Sequence, residues 1–241
     1  MKKRREARRS SGTDRVILAG GRKIVVRTTR NRHARRMTLR IDPKDGCAVL
    51  TLPTYVPLSQ GLGFARSKGD WLACKLDELP PHTPFRDDAV IPFLGRNILI
   101  RHFPLAGTRP VLAGDVLHVP GPEAELADAV RGWLMEAARE QIARRVRVKA
   151  RMLGREAPAI RLTDPRARWG SCSAEGRLCF SWRLVMAPEV VLDYVVAHEV
   201  AHLVALNHGR RFQATVDRLT ARAAEARDWL ARLGSGLLRY G

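Results

Sequence analysis

The sequence predicts an α+β protein, on three observations. Short β-branched runs separated by Gly and Pro fill the front half. A long helical pattern comes next, roughly Glu123 to Leu153. The last third then carries three short strands and an apolar helix containing His198, Glu199 and His202. The 241 residues, 45% of them hydrophobic, suit one or two domains with a real core. We expect a basic tail over 1–15, a β-rich domain with one helix over 16–120, and a second domain over 121–241.

Six of the first nine residues are Lys or Arg. Such a block reads as a disordered tail, and it has no apolar segment of the kind a secretory signal requires. Residues Val16 to Val56 read as strands, with alternation at Lys23–Arg27 and Met37–Ile41. Asp45-Gly46 is a turn signal into a strand at Cys47–Leu52. Leu58 to Leu79 carries helical spacing and stops at Pro80-Pro81. Strands return over Ala89–Val119, broken at Gly95, Gly107 and Gly114.

Gly121-Pro122-Glu123 opens the long helix, with Pro and acids where a helix begins. Arg144, Arg145, Arg147, Lys149 and Arg151 crowd its second half and read as a solvated face. Three strands come after it: Ala159–Thr163, Ala167–Ser173 and Arg177–Leu184. A two-residue turn at Glu175-Gly176 would pair Trp169 with Trp182, Ser171 with Phe180, Cys172 with Cys179 and Arg168 with Arg183. Two adjacent arginines repel unless an anion sits between them, so Arg168 and Arg183 are expected to anchor a carboxylate, structural or from substrate. Gly170 would admit a close backbone.

Ala187-Pro188-Glu189 starts the helix that carries the chemistry. His198 and His202 lie four apart, so their imidazoles fall on one face, about 40° apart and one turn displaced. Two neutral imidazoles so placed can share one Zn²⁺, and Glu199 can reach a water on it. From Val190 to Leu206 the segment is apolar on nearly every side, which predicts burial. Buried imidazoles and a buried carboxylate need partners, and a metal supplies one. Histidines bonded to backbone carbonyls in a core helix are the plain alternative. An open zinc site needs a third protein ligand. His208 is the nearest candidate, on a chain expected to leave the helix near Asn207. A last helix is expected over Arg210–Leu233, with Phe212 beneath the turn that presents His208.

The runs Arg168-Trp169-Gly170-Ser171-Cys172-Ser173, Ser181-Trp182-Arg183-Leu184, Ala187-Pro188, Asp193-Tyr194-Val195-Val196, His198-Glu199-Val200-Ala201-His202-Leu203, Asn207-His208 and Phe212 resemble the YgjP-like metallopeptidase family. These are bacterial metal-dependent hydrolases related more loosely to SprT-like and WLM zinc proteases. A weaker likeness covers Ala34 to Leu79. The resemblance implies a zincin-like core of long helix, small antiparallel sheet and active-site helix. It implies His198, His202 and His208 as ligands of one Zn²⁺, with Glu199 as general base. It also implies an extended peptide bound along a sheet edge; the Arg168–Ser173 strand is our candidate edge. Arg168, Arg183 and Tyr194 are conceivable donors to a reaction oxyanion.

The formal charge is +19, with 36 Arg and 7 Lys among the 43 basic residues. A polyanion or acidic substrate is therefore a possible partner. No run of about 18 apolar residues suggests a membrane span. Cys47, Cys74, Cys172 and Cys179 form no C-x-x-C pair, which fits a reduced cytoplasmic chain. The reading is a cytoplasmic zinc metallopeptidase acting on a peptide or protein. The competing readings are a nucleic-acid-associated protein with a structural zinc, a protease acting on DNA-bound proteins, and a small-molecule hydrolase.

Overall fold

β-Branched alternation produces most of the strands. The computed structural model describes residues 13–19, 21–105 and 107–241, so the expected basic tail lies largely outside the described residues. Thr13 to Arg15, assigned to that tail, instead open the first strand.

The chain divides into two compact units between Pro80 and Pro81. In the first unit, β1 (Thr13–Ala19), β2 (Arg22–Arg30), β3 (Thr38–Asp42) and β4 (Cys47–Leu52) form one sheet in the order β1-β2-β4-β3. β2 and β4 run parallel, and the other pairs are antiparallel. Ile17, Ile24, Val26, Leu50 and Leu52 join Ala65 and Leu72 in its core. The single helix expected over Leu58–Leu79 is two, α1 (Leu58–Ser67) and α2 (Gly69–Asp77). Lys68 leaves helical geometry at φ −106°, ψ 20°, and its N–H closes α1 on the Ala65 and Arg66 carbonyls.

The second unit begins with β5 (Val90–Phe93), β6 (Arg96–His102), β7 (Val111–Ala113) and β8 (Val116–Val119), in the order β5-β6-β8-β7. The expected boundary at 120/121 would detach these strands from the rest of the unit. They belong with it, because Ile91, Ile98, Ile100, Leu117 and Val119 share one apolar core with the long helix and the motif helix. A short 3₁₀ turn at Glu123–Glu125 leads into α3 (Leu126–Met152). Leu126, Val130, Leu134, Ala138, Ile142, Val146 and Ala150 repeat every fourth residue and are all buried, a stripe that seats α3 on the core.

The basic end of α3 is not uniformly solvated. Lys149 is buried, donating to the Leu219 carbonyl at 2.7 Å and pairing with Asp193 at 2.8 Å. Arg145 pairs with Glu189 at 2.8 Å. Each cation therefore ties α3 to an acid of the motif helix.

β9 (Ile160–Thr163), β10 (Gly170–Cys172) and β11 (Leu178–Ser181) form a sheet in the order β10-β11-β9. It is mixed rather than antiparallel throughout, since β11 and β9 run parallel. A buried 3₁₀ segment, Trp182–Met186, replaces the expected end of the third strand. Then come α4 (Glu189–Ala201), α5 (Arg210–Leu219) and α6 (Ala223–Leu233). The helix expected over Arg210–Leu233 breaks at Thr220, which is extended at φ −152°, ψ 136°. The architecture is thus mixed α+β, with three small sheets and six α-helices among the described residues. None of its helices is long and apolar enough to cross a membrane.

Candidate metal centre

α4 positions the first two imidazoles. Its core residues are buried on almost every side, as the apolar run requires, so His198 and His202 are held by the packing of a helix with little freedom to shift. The helix ends at Ala201, earlier than the expected Asn207. The chain tightens there: the N–H of Leu203 donates to the Val200 carbonyl at 3.0 Å and that of Val204 to Ala201 at 3.1 Å. His202 Nδ1 lies 3.2 Å from the Ala205 carbonyl. A carbonyl only accepts, so Nδ1 carries the proton and Nε2 keeps its lone pair.

The tightened turn returns the chain at His208, directly before the start of α5. The three imidazoles converge: their candidate ligand nitrogens all lie within 4.8 Å of one another. His198 Nε2 and His208 Nε2 are 3.2 Å apart. Two nitrogens each 2.0–2.1 Å from one tetrahedral ion would be about 3.3 Å apart. Phe212, on the first turn of α5, is buried beneath all three rings, with centroid distances of 4.9 Å to His198, 4.5 Å to His202 and 4.6 Å to His208. That contact is the expected one.

The electrostatics favour neutral imidazoles. Burial, reinforced by His202, His208 and Arg227, pushes the His198 pKa down to about 4. Burial lowers that of His202 as well. At neutral pH both lone pairs are available to a cation. Glu199 is only 6% exposed, and burial raises its pKa to about 7. Among the described residues only the Arg168 guanidinium opposes that rise. A carboxyl poised near neutrality beside three imidazoles can take up and release a proton at physiological pH.

The hairpin of β10 and β11 fixes the space around Glu199, and here the expected register fails. The loop has three residues, Ala174–Gly176, rather than two. The Gly176 N–H bonds the Ser173 carbonyl, and Gly176 takes φ +77°, which a side chain would disfavour. Gly170 therefore faces Phe180, Ser171 faces Cys179 and Cys172 faces Leu178. One residue of slip moves every side chain to the other face. Neither the Trp169–Trp182, Ser171–Phe180 and Cys172–Cys179 pairs nor the Arg168–Arg183 pair forms.

Arg183 is 2% exposed and donates to Asp164 at 2.7 and 3.3 Å, to the Leu237 carbonyl at 3.0 Å and to the Tyr240 carbonyl at 2.7 Å. Its guanidinium also lies 4.5 Å from the Trp182 ring centre. Its carboxylate is a structural one, and four of its five N–H donors are engaged within the fold. Arg168 is exposed and acts electrostatically on Glu199. Gly170 does admit a close neighbour, but the neighbour is Glu199. A Cβ there would lie 2.6 Å from both Cγ and Oε1 of Glu199. Tyr194 is buried, 6.0 Å ring to ring from His198.

Asp164, Arg227 and the Ala205 carbonyl carry no signal in the sequence. Nothing in their spacing marks them, since each acts through a fold contact.

A family model described as YgjP-like, metallopeptidase domain, matches residues 35–233. The chain belongs to that family. Membership makes a protein substrate the expectation and lends no support to nucleic acid as a partner. The crystal structure of the metallopeptidase zymogen abylysin from Pyrococcus abyssi is similar at 20% identity, over 43% of this chain and 94% of that one, with a TM-score of 0.31. No curated protein matches.

Proposed function

We propose that this member of the YgjP-like family is a zinc-dependent peptidase with a zincin-like core, in which His198, His202 and His208 hold one Zn²⁺ and Glu199 is the general base. The observation that carries the reading is the convergence of three imidazole nitrogens within 4.8 Å, beside a buried carboxyl. The donor set fits the ion: three imidazole nitrogens leave one position open, as a catalytic rather than a structural site does. When bound, zinc acts as a Lewis acid that acidifies a water and polarises a carbonyl.

The chain's own groups do the rest. Glu199, with its pKa near 7, accepts a proton from the attacking water and passes it to the leaving amine. Gly170 leaves the room that this carboxylate occupies. Arg168 offers a positive charge on the Glu199 side, for developing negative charge or a substrate carboxylate. β10 is at the edge of its sheet, paired only with β11 among the described strands, so an extended peptide can add to its other side. Arg183 has no part in binding.

The test is peptide cleavage by zinc-loaded protein against a quenched-fluorescence peptide library. Wild type should cleave, and Glu199→Gln should lose at least about a hundredfold in kcat while keeping its zinc. Equal cleavage by both proteins, or cleavage that survives complete zinc removal, would refute the assignment.

A further inference from the structure

The first unit carries an apolar groove of its own, at the free edge of its sheet. β3 is the last strand in the order β1-β2-β4-β3 and pairs only with β4 among the described strands. Half of its backbone N–H and C=O groups therefore face away from β4. Its side chains alternate. Leu39 and Ile41 are half-buried against the core, while Thr38 and Arg40 are exposed on the other face. Leu39 is also one wall of a cavity of about 310 Å³, whose other walls are Phe64, Lys68 and Trp71. These three stand at i, i+4 and i+7 and keep one face through the break between α1 and α2. Trp71 is 42% exposed there. Neither Lys68 nor Arg40 makes an ion pair among the described residues.

We infer that β3 and this groove bind an extended segment of a partner protein by strand addition, and that the segment reads apolar–acid–apolar. The site lies wholly in the first unit and stands whether or not the metal centre is catalytic. An added strand alternates as β3 does, so its residues i and i+2 point with Leu39 into the groove and the one between them points with Arg40. Three of the four residues that line the groove are apolar. An apolar cavity of about 150 Å³ holds one benzene-sized group, and this one is about twice that, room for two large apolar side chains. The middle residue faces Arg40, where an acid makes a favourable cross-strand pair and a cation a repulsive one. Lys68 adds a second positive charge at the groove. A second copy of this chain is a poor fit, because β3 paired antiparallel with itself about Arg40 sets that arginine against its own copy. The basic residues 1–9 are wrong in charge for the same reason. Protection of the edge against self-association accounts for Arg40, but not for an exposed tryptophan in an open apolar groove beside it.

The probes are acetyl-Thr-Φ-Glu-Φ-Thr-amide peptides with leucine, phenylalanine or tryptophan at both Φ positions; their palindromic order suits either strand direction. They are titrated into the ¹⁵N-labelled full chain carrying Glu199→Gln, so that none is cleaved, and amide and indole NMR shifts are followed. At least one probe should saturate, with its shifts at β3 and the Trp71 indole. Glycine at both Φ positions should weaken binding at least about tenfold, the value of the buried side chains. Lysine in place of glutamate should weaken it about threefold or more, and Arg40→Ala should abolish that difference. Trp71→Ala, mild for folding at an exposed position, should weaken the best probe about tenfold. No saturable shift at β3 with any probe, shifts at β10 instead, a lysine probe that binds as well, or binding untouched by Trp71→Ala would each overturn the inference and leave the metal centre standing. Dimerisation of the chain that Trp71→Ala abolishes would give the groove to a second copy and overturn it as well.

Discussion

Two buried polar clusters in the second unit make an instructive contrast. Around Arg183, a guanidinium at 2% exposure finds Asp164 and two backbone carbonyls, each at hydrogen-bonding distance. Around Glu199, a carboxyl at 6% exposure and the imidazole of His198 are left to shift towards their neutral forms, the carboxyl up to about 7 and the imidazole down to about 4. Burial costs both clusters. The first offsets it with fixed partners, and the second keeps its groups near the point of proton exchange or open to a cation. The first arrangement holds the fold, and the second is the one we propose for catalysis.

That contrast can be broken most forcefully at Arg183. Arg183→Ala removes a buried guanidinium and its hydrogen bonds to Asp164 and two carbonyls; with the Asp164 side chain 29% exposed, the cost is about 2–3 kcal/mol. The urea midpoint should drop accordingly. The folded fraction should keep its zinc and its activity per folded molecule, and a selective loss of kcat with unchanged stability would place Arg183 in the site after all.

Gly170→Ala tests the other cluster. The new methyl would collide with Glu199 Cγ and Oε1 at 2.6 Å, and the carboxylate must move. A displacement of about 1 Å at a catalytic group costs roughly a hundredfold in rate. We expect kcat to fall by that order with zinc content intact. Unchanged kcat would show that the position of Glu199 is not set by this contact.

A smaller effect concerns pH in chelator-stripped protein. Glu199 has its folded pKa raised to about 7 from 4.5, so the folded state binds the extra proton between those values. Its stability contribution is full below pH 4.5 and is lost as pH rises through 7. Glu199→Gln removes that loss, while the opposing His198 contribution is common to both proteins. The stability advantage of the variant should therefore grow from about pH 5 to about pH 8, by a few kcal/mol at most. Parallel curves across that range would contradict the burial of the charged form.

Much of the site was legible because its rules are local. The i, i+4 spacing of His198 and His202 puts them on one helix face whatever surrounds it, and the apolar run predicts burial correctly from Val191 to Ala201 but not at Leu206, which is 63% exposed. The return of the chain at His208 and the seat of Phe212 came from short-range turn signals, although the helix ends six residues earlier than Asn207-Gly209 suggested. What failed depended on one backbone detail or on distant contacts. The Ala174–Gly176 loop is one residue longer than a two-residue turn, which shifts every pair in the hairpin and removes the expected Arg168–Arg183 pair. The true partner of Arg183 lies 19 residues away at Asp164, on a loop with no pattern of its own. The domain boundary at 120/121 rested on a change in element type, whereas the apolar face of α3 needs the preceding strands to cover it.

The most direct test of the centre is zinc content by elemental analysis of wild type and His208→Ala, purified side by side and reconstituted with zinc. One zinc per chain in wild type, sharply reduced in the variant, is the predicted result. A wild type that takes up no zinc, or a variant that retains it fully, would contradict the three-histidine centre.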